Sequence, residues 1–171
     1  FKQQLAFIIA KAIKVGYRLI DTSSAYDNEE CIGKAIKLSG INRSELYITT
    51  RVTNQQQYSG TVRTGFFKAL KKFDLDYIEM ERLYEEGYVK NIGLANCHQH
   101  HIEEILKICK VRPVLNQIEV HPLFTQKPLI EFCKSEKIQV EAYTPLARND
   151  ERLRHNRILR TIAEKYEKTM L

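Results

Sequence analysis

The run Gly16-Tyr17-Arg18-Leu19-Ile20-Asp21-Thr22-Ser23-Ser24-Ala25-Tyr26-Asp27-Asn28-Glu29-Glu30 sets a carboxylate and a phenol where an apolar-leaning stretch gives way to a helix start. A strand that ends on an acid and continues into a loop and a helix is where α/β enzymes carry reactive side chains. On such a junction Asp21 and Tyr26 can form a proton-donor pair. Asn28 is placed to cap the helix that carries Glu29, Glu30, Ile32, Gly33 and Ile36. The same types also have a plain structural use, as a turn carboxylate and a half-buried aromatic beginning a helix. Arg51, at the end of a later strand-like run, is placed either to join this chemistry or simply to pair with Asp21.

Other polar residues stand at strand ends. Asn96, Gln117 and Tyr143 are of that kind, and buried amides in such places usually satisfy backbone groups. Cys97-His98-Gln99-His100-His101 has metal-ligating types, with Cys97 and His101 on one helix face. A second pair of ligands at regular spacing is missing, so no metal is expected.

These residues need a frame. Leu5, Ile8, Ile9, Ala12 and Ile13 make one helical face, and Gly16 is placed to end that helix. Strand-like runs follow at 17–22, 46–52, 75–78, 89–96, 114–120 and 139–145. Helical stretches lie at 28–38, 61–73, 79–86, 99–109, 127–137 and 156–167. Repeated βα units imply a parallel sheet with helices outside it, here about six units. Most strands begin about 24 to 29 residues after the previous one, but the step from Leu75 to Val89 is 14. That step is too short for a helix and both of its loops. A closed eight-stranded barrel takes roughly 250 residues, with about 200 as a practical minimum. The 171 residues present imply an incomplete barrel or a smaller open sheet.

Composition narrows the class. With 43% hydrophobic and 28% charged residues, the chain can bury a core as one domain. No segment has the apolar length of a membrane helix, and the N-terminal stretch lacks a secretory layout, so a cytoplasmic protein is expected. Cys31, Cys97, Cys109 and Cys133 lie far apart and read as reduced, partly buried thiols. The net charge of +6 is spread along the chain. With no aromatic-basic motif and no helix-turn-helix, a nucleic-acid partner is not expected. Neither Gly-x-Gly-x-x-Gly nor Gly-x-x-x-x-Gly-Lys-Ser/Thr occurs, which removes support for a Rossmann or P-loop site.

In addition to the Asp21–Tyr26 run, four stretches resemble the aldo-keto reductase family in that family's order. They are Leu46-Tyr47-Ile48-Thr49-Thr50-Arg51-Val52, the stretch from Leu83-Tyr84-Glu85-Glu86-Gly87 to Ile92-Gly93-Leu94-Ala95-Asn96, Pro113-Val114-Leu115-Asn116-Gln117-Ile118-Glu119-Val120-His121-Pro122, and Val140-Glu141-Ala142-Tyr143-Thr144-Pro145-Leu146. The resemblance implies a (β/α)8 TIM-barrel type, incomplete as written, that binds NADPH (NADP) at the carboxyl ends of its strands. It also implies reduction of an aldehyde or ketone, a small-molecule carbonyl substrate, to an alcohol. By the same resemblance Tyr26 is the general acid, with Asp21 and Arg51 in its network. Asn96 and Gln117 would hold the nicotinamide carboxamide, and Tyr143 would stack on the ring with Thr144 beside it. Amides donate and accept at once, and an aromatic face packs flat on nicotinamide.

The sequence departs from the family pattern in several places. Arg51 stands where the family has its catalytic lysine, and arginine is larger, planar and directional. The strand 75–78 runs straight into Glu79-Met80-Glu81-Arg82-Leu83, so the strand end with the family's catalytic histidine has no counterpart. The Gly-rich first strand and the closing strands also have none. Ala95 replaces a serine, a loss of about one cofactor hydrogen bond, ~1 kcal/mol. The rival expectation is a truncated, non-catalytic relative that binds a partner or does not fold alone.

Overall fold

A computed structural model describes residues 2–51 and 81–169. The expected helix at 61–73 and strand at 75–78 lie outside the described residues. The chain divides into two compact units, Phe1–Lys90 and Asn91–Leu171, each described by itself.

In the first unit the apolar face read from the sequence folds as α1 (Lys2–Lys14), burying Ala6, Ala10 and Ile13. Gly16 follows with φ 113°, a conformation that costs a Cβ-bearing residue energy, and its N–H bonds the Ile13 carbonyl at 3.1 Å. The chain then enters β1 (Leu19–Asp21), a one-turn 3-10 helix (Ser24–Tyr26) and α2 (Glu29–Ser39). After a second 3-10 turn (Arg43–Glu45) comes β2 (Tyr47–Thr49), and the described residues resume with α3 (Glu81–Glu85). β1 and β2 are parallel, with Leu19 opposite Tyr47, Ile20 opposite Ile48 and Asp21 opposite Thr49.

Two patches of core hold this unit. Ala6, Ala10, Cys31 and Ala35 meet where α1 crosses α2, and small side chains there let the helices approach closely. Ile13, Ile32, Ile36, Leu46, Ile48, Leu83 and Val89 form the larger patch. Each fully buried Ile or Leu contributes roughly 1.5–3 kcal/mol of transfer free energy. Val89, expected to open a strand, is instead one of these core residues, and the strand is confined to Gly93–Ala95.

The second unit contains β3 (Gly93–Ala95), α4 (Gln99–Ile108), β4 (Leu115–Glu119), α5 (Lys127–Ser135), β5 (Gln139–Tyr143), α6 (Glu151–Arg154) and α7 (Arg157–Lys165). Its three strands are parallel in the order β3-β4-β5. Sequential order with a helix after each strand is how barrels are built. Doubly wound sheets reverse direction at a switch point instead. Ile118 of β4 packs with Ile102 of α4, Leu129 and Cys133 of α5, and Ile138. That leaves Gln117 and Glu119 on the face away from the helices, because side chains alternate along a strand. At Gly93 a Cβ would stand 3.2 Å from the Leu115 Cβ, so glycine permits the close β3–β4 approach.

Five of the six expected strands are therefore present among the described residues, parallel within each of the two sheets. Two further details differ from expectation. Asn28 does sit at the start of α2, but its Oδ1 accepts from the Thr22 hydroxyl at 2.7 Å and makes no side-chain cap bond. The short helix α6 was not expected; Asp150 caps it by accepting from the Arg152 N–H at 2.8 Å.

Candidate active site

The loop after β1 is built by local hydrogen bonds. Thr22, fully buried, continues the ladder by donating its N–H to the Thr49 carbonyl at 2.9 Å. The Ser23 hydroxyl accepts from the Ala25 N–H at 3.3 Å, which starts the 3-10 turn that carries Tyr26. The Arg51 carbonyl collects the Ser24 N–H at 3.1 Å, the Ser24 hydroxyl at 3.1 Å and the Ser23 hydroxyl at 3.4 Å. The backbone of Arg51 is thus fastened to the loop that presents Tyr26.

Side chains complete the arrangement. Arg51 Nη1 donates to Asp21 Oδ1 at 3.2 Å, and its Nη2 lies 3.2 Å from Oδ2, a two-point hold on the carboxylate. The Thr49 hydroxyl donates to the same Oδ1 at 2.8 Å. Arg51 Nη2 also donates to the Tyr26 hydroxyl at 2.9 Å. Burial works against the Arg51 charge, but the hydrogen bond and charge of Asp21, with Tyr26 adding to them, leave the guanidinium above its ordinary value. Tyr26 is 56% exposed, and its hydroxyl donates to no acceptor among the described residues. A phenol whose oxygen accepts from a cation can also offer its O–H as a donor.

In the second unit the expected residues occupy adjacent strands. Asn96 follows β3 in the left-handed region, φ 55°, with its N–H on the Gln117 carbonyl at 2.8 Å. Gln117 is 5% exposed, and its Nε2 donates to Glu141 Oε1 at 2.6 Å. Tyr143 ends β5 half-buried; Thr144 follows at φ 47° and donates its hydroxyl to Glu119 Oε1 at 3.2 Å. His121 folds the chain back after β4 through paired backbone bonds with Phe124 of 3.1 and 2.8 Å, so the His-Pro step shapes that loop.

Three residues at these strands were not singled out by sequence reasoning. Thr49 holds Asp21, and Glu141 holds Gln117. Asn116, fully buried, donates to the Cys97 carbonyl at 2.8 Å and accepts from the Cys97 N–H at 3.4 Å, fixing the turn that follows Asn96. Their signal is positional, each being a polar residue inside a strand, but the partner depends on register. Burial pushes the Cys97 thiol up, with Cys133 adding to it. In the Cys97–His101 run, His101 Nδ1 accepts from the His98 N–H at 3.2 Å, so that imidazole serves the start of α4. No group of three or more metal-ligating side chains converges among the described residues.

The sequence model of the Aldo/keto reductase family matches residues 2–80 and 79–165. The chain belongs to that family. It is 40% identical to glyoxal reductase of Bacillus subtilis over 180 aligned positions, covering 95% of this chain and 64% of the relative. It is 37% identical to a methylglyoxal reductase of Escherichia coli, covering 98% and 67%. Among solved structures, an aldo-keto reductase from a deep-sea metagenome library superposes with a TM-score of 0.89 at 37% identity, covering 95% of this chain and 67% of that one. An aldo-keto reductase of Bombyx mori in complex with NADP gives 0.89 at 28% identity, covering 99% and 68%. The fold is that of this family's (β/α)8 barrels, spanned in part: the chain covers 64% and 62% of the first two curated relatives. An alignment of 180 positions over 95% of 171 residues leaves positions of the relative with no counterpart here. Among the described residues, no helix is long and apolar enough to cross a membrane.

Proposed function

We propose that this protein reduces small aldehydes or ketones to alcohols, with Tyr26 as proton donor and NADPH as hydride source. The observation that carries this reading is the Tyr26 hydroxyl, exposed and accepting from Arg51 at 2.9 Å while Asp21 grips the same guanidinium. Tyr26 gives its proton to the carbonyl oxygen as that oxygen gains negative charge. Arg51 then faces a phenolate whose charge it compensates through a bond already made, so little has to reorganise during the step. Asp21, held by Thr49, keeps the guanidinium aimed at the phenol. Arginine in place of the family's lysine retains the charge and adds a fixed plane.

The residues of the second unit fit a nicotinamide cofactor. Asn96, Gln117 and Tyr143 offer two amides and an aromatic face on neighbouring strands, which is the donor set a carboxamide-bearing ring requires. The cofactor, when bound, supplies the hydride; the chain's part is to bind and orient the ring. The NADP complex of the Bombyx relative and the glyoxal and methylglyoxal reductase relatives support this cofactor and small dicarbonyl substrates. The two matched segments meet at residues 79–80, where the strand spacing is short, which supports an aldo-keto reductase-like domain lacking an internal segment.

The test is NADPH consumption with methylglyoxal, followed by absorbance. Tyr26→Phe should lower kcat/KM by about 10² to 10⁴ with cofactor binding unchanged. Turnover that survives the substitution, or no cofactor binding at millimolar concentration, would refute the proposal.

A further inference from the structure

We infer that Arg51 is a shielded site for covalent addition of vicinal dicarbonyls, and that the Asp21 carboxylate is the shield. The inference rests on the dicarbonyl reading above and deepens it, because a guanidinium is the side chain that such compounds capture. In the unshielded reaction Nη1 adds to one carbonyl carbon and Nη2 to the other, closing a ring. Each nitrogen gains an N–C bond and gives one hydrogen to the carbonyl oxygen, each C=O becomes a hydroxyl, and the ring then loses one water. No oxidant or reductant is needed. A carbonyl that accepts from the Tyr26 hydroxyl arrives beside the guanidinium, whose Nη2 lies 2.9 Å from that phenol oxygen. Arginine at this position therefore sets a nucleophile against the proposed substrate. Its contacts oppose the capture. Asp21 Oδ1 accepts from Nη1 and Oδ2 faces Nη2, each at 3.2 Å, so the nitrogens that ring closure needs are those the carboxylate grips. Burial works against the guanidinium charge, yet the hydrogen bond and charge of Asp21 keep it protonated, and only the neutral form has an electron pair free to attack. The Thr49 hydroxyl, donating to Oδ1 at 2.8 Å, fixes the shield in turn.

The probe is methylglyoxal on the full chain without NADPH, with the adduct at each arginine followed over time by peptide mass spectrometry. Exposed Arg148 serves as the internal reference. In wild type Arg51 should react about 10-fold more slowly than Arg148, the effect of one charge-assisted hydrogen bond. In Asp21→Asn, which keeps the shape and removes the charge, the rate at Arg51 relative to Arg148 should rise about 10-fold. Thr49→Val, which leaves the carboxylate in place and loosens it, should raise that ratio about 2- to 5-fold. Arg18 and Arg43 precede β1 and β2, and their Nη1 atoms donate to the Ile13 and Leu46 carbonyls at 2.9 and 2.7 Å. General loosening of the strands would speed modification there too, whereas loss of the shield is confined to Arg51. Thermal melts identify a variant that does not fold, and Thr49→Val then carries the same ratio test. Arg51 reacting as fast as Arg148 in wild type, an unchanged ratio in the variants, or a parallel rise at Arg18 and Arg43 overturns the inference. The adducts form without cofactor or turnover, so failure of wild type to reduce methylglyoxal overturns the dicarbonyl reading alone and leaves the shield standing.

Discussion

Removing the Arg51–Asp21 contact is the most direct test of the candidate site's architecture. The guanidinium grips both carboxylate oxygens at 3.2 Å, with the side chains 27% and 31% exposed. Fully exposed pairs contribute about 0.2–1 kcal/mol, while breaking a buried pair costs about 3–5 kcal/mol. Partial solvent screening puts this contact nearer the lower figure, and two-point geometry raises it, so a coupling of about 1 kcal/mol is expected. Neither single change leaves a wholly bare partner. In Arg51→Met, Asp21 still accepts from Thr49 at 2.8 Å; in Asp21→Asn, Arg51 still donates to Tyr26 at 2.9 Å. Arg51→Met alone should cost about 1–2 kcal/mol and lower Tm by roughly 2–8 °C. The assay is a double-mutant cycle of Arg51→Met and Asp21→Asn in urea, with Lys2–Asp27 as the reference pair. That pair lies at 3.0 Å but is 60% and 68% exposed, and it should show no measurable coupling. A coupling below about 0.3 kcal/mol for Arg51–Asp21, or one no larger than the reference, would refute the argument that the pair organises the site.

Two further outcomes follow from the second unit. Asn116→Leu removes both bonds to the Cys97 backbone and buries those groups without partners, which should cost about 2–4 kcal/mol in urea unfolding; a loss under about 0.5 kcal/mol would contradict the buried geometry. The Asp150 carboxyl, gripped by the Arg152 guanidinium and N–H, is held down to about 2. Its folded value lies below the unfolded one, so its support of α6 is present above pH ~4 and is lost as pH falls through about 2. Side-chain NMR should find that low midpoint, and Arg152→Ala should move it toward the ordinary carboxylate range.

Periodicity alone carried much of the fold. The apolar face of α1, the glycine stop at Gly16 and the positions of five strands follow from local chemistry that does not depend on distant residues. The Asp21–Tyr26 junction was legible for the same reason, because strand end, loop and helix start are contiguous in the chain. The two segments matched by the family model meet at residues 79–80, inside the short step before Val89.

The identities of the partners belong to tertiary structure. Thr22 takes the Asn28 oxygen that local rules assign to a helix cap, because the β1 ladder brings its hydroxyl within 2.7 Å. Arg51 reaches Asp21 and Tyr26 only because β1 and β2 align with Asp21 opposite Thr49. Glu141 meets Gln117 because of a register set by packing, since a one-residue slip would turn every side chain to the other face. Residue types along one chain therefore determined which groups were present at the strand ends. Pairing between strands decided which of those groups touch, and so which hydrogens remain to act on a ligand.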